Sequence, residues 1–381
     1  MFQDKKTIFK LALILVCFLA TIPMLVMVFT TNPNTTSGYV VPSNSAERIL
    51  EYLNDAANEA RQAALSVRKR FWIKEGDPMP KRDDSKYGTA KTADELAWLL
   101  EEAAPLLQGQ ETLFTTETPI RESTEINYYY DESILVIAWQ QIIDRAIYTI
   151  AEVKINDPSQ FRRYLIDDMY GSQRLMTTTN IAAQAGAVVA GSGDHFRGRK
   201  EGIVVYEGEV KRFKGQNIID NCFVDTDGNL HLTPKGTFQT QEEVEAYIQE
   251  NKIDFGLAFG PILVQNGKKA NPDFYGLGEV LDNYPRAALC QKDELHYLIV
   301  TVNGRGANRN YPTIDMFATE IEKFNVQTAY TTDGGQTGAI AMQDKLINPN
   351  EYKTGQRAIG DIYFFHTAIP NYEEAETSNN E

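Results

Sequence analysis

Two short stretches of this chain place carboxylates where chemistry could be done. The first, Thr331 to Met342, reads TTDGGQTGAIAM. It sets Asp333, Gly334, Gly335 and Gln336 between two apolar runs, where a plain bend would need fewer special residues. The second, AGAVVAGSGDHF, is an apolar run of small residues that ends in Asp194 and His195. Two strand-end aspartates beside glycines that permit close backbone approach form a candidate carboxylate pair. The plainer alternative is a turn role, because an Asp before Gly caps a turn through its own side chain.

The elements that must position these residues can be read from hydrophobic spacing. HYLIVTVNGRG is an apolar run that ends at Asn303-Gly304-Arg305. TIDMFATEIEKF follows, with Ile314, Phe317, Ala318 and Ile321 on one helical face. VQTAYTTDGG is a second apolar run and ends at Asp333. Strand, helix and strand in so short a span predict a parallel pair joined by a crossover helix. Asn303, Arg305 and Asp333 would then lie side by side at one sheet edge, where such sheets bind ligands. SILVIAWQQI, AIYTIAEVKI, GIVVYEG, FGPILVQNG, GAIAMQD and GDIYFFHTA are further β-type runs separated by turns. The expected class is α+β (mixed α/β), a mixed β-sheet core with crossover helices.

The 381 residues are 43% hydrophobic and 23% charged, with a formal charge of -15. That acidic total argues against a nucleic-acid binder and leaves room for a small, local phosphate site. Three cysteines are too few for a disulfide scaffold, and nothing suggests metal ligation by sulfur. Lys5, Lys6 and Lys10 precede an uncharged run from Leu11 to Phe29. Such a run, of about 20 residues, is long enough to cross a bilayer. Lysines on one flank only predict a cytoplasmic N-terminus and an extracellular remainder. Residues 1–30 are therefore read as a cytoplasmic tip and a transmembrane signal anchor, at the cell membrane. Residues 31–126 are read as a linker and helical stalk, in which Thr92 and Glu95 form a capping box. The stalk is a candidate surface for a membrane protein partner. Residues 127–369 form the main domain, and residues 370–381 an acidic, disordered tail.

Along that main domain a series of motifs stands in order. It runs Ser192-Gly193-Asp194-His195-Phe196, Gly260-Pro261-Ile262-Leu263-Val264, Pro285-Arg286 and Asn303-Gly304-Arg305. Thr331-Thr332-Asp333-Gly334-Gly335-Gln336-Thr337 and Arg357 complete it. From about Asn127 to Ala368 the chain resembles the phosphodiester glycosidase family, whose animal members are the mannose-6-phosphate uncovering enzymes. It is similar above all to Gram-positive bacterial members linked with exopolysaccharide biosynthesis.

The resemblance implies hydrolysis of a sugar-1-phosphodiester in a cell-surface glycan. The glycosidic C–O bond is cut and the phosphomonoester stays on the other partner. Asp333 would be nucleophile or general base, Asp194 the second carboxylate and His195 a proton donor. Arg286, Arg305 and Arg357 would bind phosphate, since a planar guanidinium grips phosphate oxygens in pairs. Backbone N–H groups of Gly334, Gly335 and Gln336 would form an anion nest, with Thr337 and Asn303 adding polar contacts. A divalent cation beside two carboxylates and a phosphate is compatible with this set, although no ligand spacing demands one. Ser192, Asn303 and Thr331-Thr332 depart from the family pattern. They motivate an alternative, a glycan-binding protein on the same fold without turnover. A third reading is a scaffold whose stalk helices pair with a membrane partner.

Overall fold

The computed structural model describes residues 80–107, 125–271, 282–303, 311–349 and 355–369. The expected membrane anchor, the linker, the first stalk helix, Arg305 and the acidic tail lie outside the described residues. Among the described residues no helix is long and apolar enough to cross a membrane.

A nine-stranded sheet is the centre of the fold. It opens with β1 (Tyr87–Ala90), β2 (Ile126–Asp131), β3 (Ile134–Ile143) and β4 (Ala146–Ile155). The chain then leaves to build β5 (Phe161–Leu165), β6 (Val189–Ser192), β7 (Gly202–Tyr206), β8 (Glu209–Lys214), β9 (Asn221–Asp225), β10 (Leu230–Thr233) and β11 (Ile253–Leu257). It returns through β12 (Ile262–Gln265), β13 (Lys268–Lys269), β14 (Arg286–Asp293), β15 (His296–Asn303) and β16 (Thr328–Thr332). β17 (Ile340–Met342), β18 (Lys345–Leu346) and β19 (Asp361–Phe365) end it. The helices are α1 (Ala93–Glu102), α2 (Ala104–Leu107), α3 (Thr178–Gln184), α4 (Gln241–Asn251) and α5 (Ile314–Glu322).

The large sheet runs β1-β2-β3-β4-β15-β14-β16-β12-β13. Two five-stranded sheets run β10-β9-β11-β7-β8 and β18-β17-β6-β19-β5. Alternation along the strands sends successive side chains to opposite cores. In β15, Leu298 and Val300 join α1, α2 and α5 on one face, whereas Tyr297 and Ile299 face the two smaller sheets. β19 repeats the pattern, with Tyr363 and Phe365 inward and Ile362 and Phe364 under α3. α4 covers the β10-β9-β11-β7-β8 sheet through Val244 and Ile248.

The α+β class fits this architecture, and α5 buries Ile314, Phe317, Ala318 and Ile321 as the spacing predicts. The expected parallel pair does not form. β15 and β16 do run the same way, but β14 lies between them and pairs antiparallel with both. The register places Arg286 opposite Val302 and Ala287 opposite Thr332, so the start of β14 and the ends of β15 and β16 share one edge. The stalk reading also changes for residues 87–107. β1 pairs with β2 at the sheet edge, and α1 buries Leu96, Leu99 and Leu100 in the main core. The capping box at Thr92 and Glu95 is present.

Candidate functional site

A cavity of about 330 Å³ opens where strand ends from all three sheets meet. Its floor is Thr331 to Gln336, the end of β16 and the turn beyond it. Tyr284, Pro285 and Arg286 enter with β14, while His195, Gly198, Arg199 and Glu201 come from the β6–β7 loop. Phe259 and Gly260 follow β11, and Arg357 precedes β19.

The glycines of the floor have steric reasons. A Cβ on Gly334 would sit 2.4 Å from the Pro285 carbonyl oxygen, so the turn can lie against β14 only without a side chain. Gly335 has φ of 62°, in the left-handed region that costs an L side chain energy. Its N–H donates to the Pro285 carbonyl at 3.1 Å. The expected nest of three N–H groups is therefore incomplete, because this donor is engaged inside the protein.

Asp333 is 8% exposed, and its Oδ2 lies 3.3 Å from His195 Nδ1. Burial pushes the carboxyl above its ordinary range, while His195, the Thr337 hydroxyl, Arg357 and Arg199 pull it back. Its backbone N–H donates to Gly193 at 3.3 Å, which ties the floor to the segment bearing His195. Ser192 ties it again, its hydroxyl donating to the Asp333 carbonyl at 3.4 Å and accepting from the Ala339 N–H at 3.3 Å.

Seven expected residues come together here: Asp333, His195, Arg286, Arg357, Gly334, Gly335 and Gln336 line one cavity. Asp194 does not. It is fully buried, with Oδ1 accepting from the Phe196 N–H at 2.9 Å and Oδ2 from the Ala258 N–H at 2.8 Å. Arg163 Nη2 lies 3.1 Å from Asp194 and 2.8 Å from Asp361, so one guanidinium holds both carboxylates. Two carboxylates can leave water together when a cation is buried between them, and this explains why Asp194 turns inward.

Asn303 and Thr337 are also buried and line no part of the cavity. Asn303 Oδ1 accepts from Asn348 at 3.2 Å, and Asn348 in turn accepts from the Ile340 N–H at 2.8 Å. Asn303 thus supports the strand after the glycine turn. Cys222 and Cys290 are free and buried, and burial pushes both thiols up. Among the described residues no group of three or more His, Cys, Asp or Glu could hold a metal ion. The pair expected beside a cation is split, since Asp194 is already ligated by Arg163 and two N–H groups.

Arg199, Glu201, Phe259 and Tyr284 were not expected. Arg199 donates to the Phe259 carbonyl at 3.0 Å and lies 4.0 Å from that ring's centroid, a cation–π contact. No motif spacing marks these residues, and the one cue is the basic run FRGRK after His195. Three guanidinium groups, a shielded carboxylate and an imidazole in one cavity can hold an anion and move a proton beside it.

Residues 178–366 match the family model described as phosphodiester glycosidase. No curated protein matches the chain. A hypothetical protein from Synechocystis is 12% identical, with a TM-score of 0.46, and the match covers 63% of each chain, under two thirds of that protein's length. The zebrafish N-acetylglucosamine-1-phosphodiester alpha-N-acetylglucosaminidase catalytic domain, auto-inhibited by its pro-peptide, is 18% identical with a TM-score of 0.47. That match covers 61% of this chain and 82% of the zebrafish one. From residue 178 to residue 366, then, the chain carries a phosphodiester glycosidase domain.

Proposed function

We propose that the chain is a hydrolase that cuts sugar-1-phosphodiester bonds in a cell-surface glycan or exopolysaccharide. The observation that carries this reading is the placing of Asp333 and His195 in one cavity with Arg199, Arg286 and Arg357. In this reading the main domain is held outside the cell by the N-terminal apolar run, with the acidic tail free.

The arginines hold the phosphate oxygens, which leaves the sugar's anomeric carbon toward Asp333. Asp333 then acts as nucleophile, or as the base that takes a proton from water. The C1–O bond breaks, the electron pair goes to the phosphate oxygen, and the phosphomonoester departs on its alcohol. Water supplies the new oxygen at C1. His195 relays the proton between Asp333 and the departing phosphate. A phosphomonoester leaves readily, so the proton donor contributes less here than in ordinary glycoside hydrolysis. His195, Arg357 and Arg199 oppose the burial that raises the Asp333 carboxyl.

Asp333→Asn should lower sugar release from a panel of sugar-1-phosphodiesters, UDP-GlcNAc included, by about 10²–10⁴-fold. Turnover at the parent rate would sink the assignment. Arg357→Ala should mainly raise KM, because Arg357 is exposed at the cavity and its role in this reading is to bind the phosphate. Glycan binding without turnover is the second reading. The withdrawal of Asp194 favours it, since Glu201 is then the only other carboxylate lining the cavity among the described residues. A folded chain that binds these esters and releases no sugar would select it.

A further inference from the structure

His195 is held in a conformation it would not adopt alone. Its φ of 59° is left-handed, a region that an L side chain enters only when its surroundings hold it there. Asp194 Oδ1 accepts from the Phe196 N–H at 2.9 Å and so closes a turn around His195. The His195 carbonyl accepts from the N–H groups of Gly198 and Arg199, both at 3.0 Å. The imidazole itself lies across Gly198, where a Cβ would sit 1.8 Å from Nε2. With Nε2 on that side, Nδ1 comes within 3.3 Å of Asp333 Oδ2.

The turn is only as fixed as Asp194, and Arg163 is what fixes Asp194. The Arg163 side chain is fully buried and reaches across from β5. Its Nη2 lies 3.1 Å from Asp194 Oδ2, and its Nε donates to Asp361 Oδ2 at 3.0 Å. Its Nη1 donates to the Gly256 carbonyl. The planar fork is thus tied at once to β19, to β11 and to the end of β6. Cohesion of the sheet does not require this. β19 already pairs with β5 and with β6, Tyr363 lying opposite Arg163 on one side and Gly191 on the other. A buried ionic cluster is also weak evidence for stability, since apolar residues of similar volume often replace one at no cost. What the guanidinium adds is a direction for the Asp194 carboxylate. Oδ1 points to the turn around His195, and Oδ2 accepts from the Ala258 N–H at 2.8 Å.

We propose that Arg163 is a positioning residue for His195: through Asp194 it holds the imidazole 3.3 Å from Asp333, although Arg163 lines no part of the cavity. The kinetic consequence rests on the sugar-phosphate reading of that cavity. The aim of the imidazole does not.

Nitrogen NMR of the histidine rings in the full-length protein tests it, because four histidines give few signals and His195→Ala identifies the one needed. Arg163→Lys keeps the charge and loses the fork. Asp194→Asn keeps the side-chain volume and leaves the Arg163–Asp361 pair in place, so its fold is not at risk. Its amide puts a donor where Arg163 or one of the two N–H groups needs an acceptor. In both variants the His195 ring signals should shift and broaden. Those of His231, held by Asp225 at 2.8 Å on a separate hairpin, should stay.

On sugar-1-phosphodiesters each variant should lower kcat about tenfold, since a misaimed proton carrier slows the chemistry. KM should change little, because Arg199 keeps its own anchors on Phe259. In a His195→Ala background neither variant should lower kcat further, whereas general damage to the fold would add its own loss. Unmoved His195 signals in folded Arg163→Lys and Asp194→Asn chains overturn the proposal. So does a loss of kcat that persists in full in the His195→Ala background. A chain that cleaves these esters while the His195 signals ignore both variants refutes this inference alone. One whose signals move and that cleaves no ester refutes the hydrolase alone.

Discussion

Asp361 shows how much of a site can depend on a residue that never touches the cavity. Burial, opposed by Arg163 and reinforced by Asp194, pushes its carboxyl up to about 7. A carboxyl raised above its ordinary value of 3.8 stabilises the fold below that value, and the contribution is lost as pH climbs through about 7. Thermal stability should therefore fall between about pH 4 and pH 7, and Asp361→Asn should flatten that fall in a Tm-versus-pH series. An unchanged slope would show that the Arg163 cluster carries no shared proton. Gly334→Ala belongs to the same scale. Its new methyl meets backbone, which cannot swing away, so a loss of about 1–3 kcal/mol is expected by denaturant melts. Sequence reasoning found Asp333 and its glycines because that chemistry is local. It misplaced Asp194, because the partner that draws it inward, Arg163, lies on a strand with no motif of its own. Arg199 and Glu201 were invisible for the same reason, being ordinary charged residues until the β6–β7 loop folds over the floor.

Strands and helices were legible where alternation or helical spacing was strong. AIYTIAEVKI became β4 over the same ten residues, and α5 kept its four buried positions. β14, reading RAALCQKD, mixes small, polar and charged residues, yet all but its last are buried. Its burial comes from lying between β15 and β16, a tertiary fact that no local pattern carries. α4 was missed because only Val244 and Ile248 of its eleven residues are buried, among glutamates. The pairing of α5 with the large sheet is testable. Phe317 is fully buried there, and Phe317→Ala should cost about 3–5 kcal/mol in urea melts.

At the scale of the molecule, the boundary between core and appendage moves upstream of its sequence-based position. A chain that starts at Pro80 keeps β1, α1 and α2. It should therefore melt like the full-length protein. One that starts at Gln108 loses Leu96, Leu99, Leu100, Leu106 and Leu107 from the main core, and should fail to fold cooperatively. Circular dichroism melts of the two separate these outcomes. The large sheet has one more consequence. β4 pairs in register with β15, from Ile147 opposite Asn303 to Lys154 opposite His296, and the intervening chain builds the whole β10-β9-β11-β7-β8 sheet and β5 and β6 of the other. Closing so long a loop is slow, because its entropy must be lost before any contact compensates. During vectorial synthesis the ribosome therefore releases a sheet that stops at β4, with an open edge and no cavity floor. Until residues 296–336 emerge, that nascent edge has no partner of its own, and a chaperone or a neighbouring nascent chain is its natural competitor.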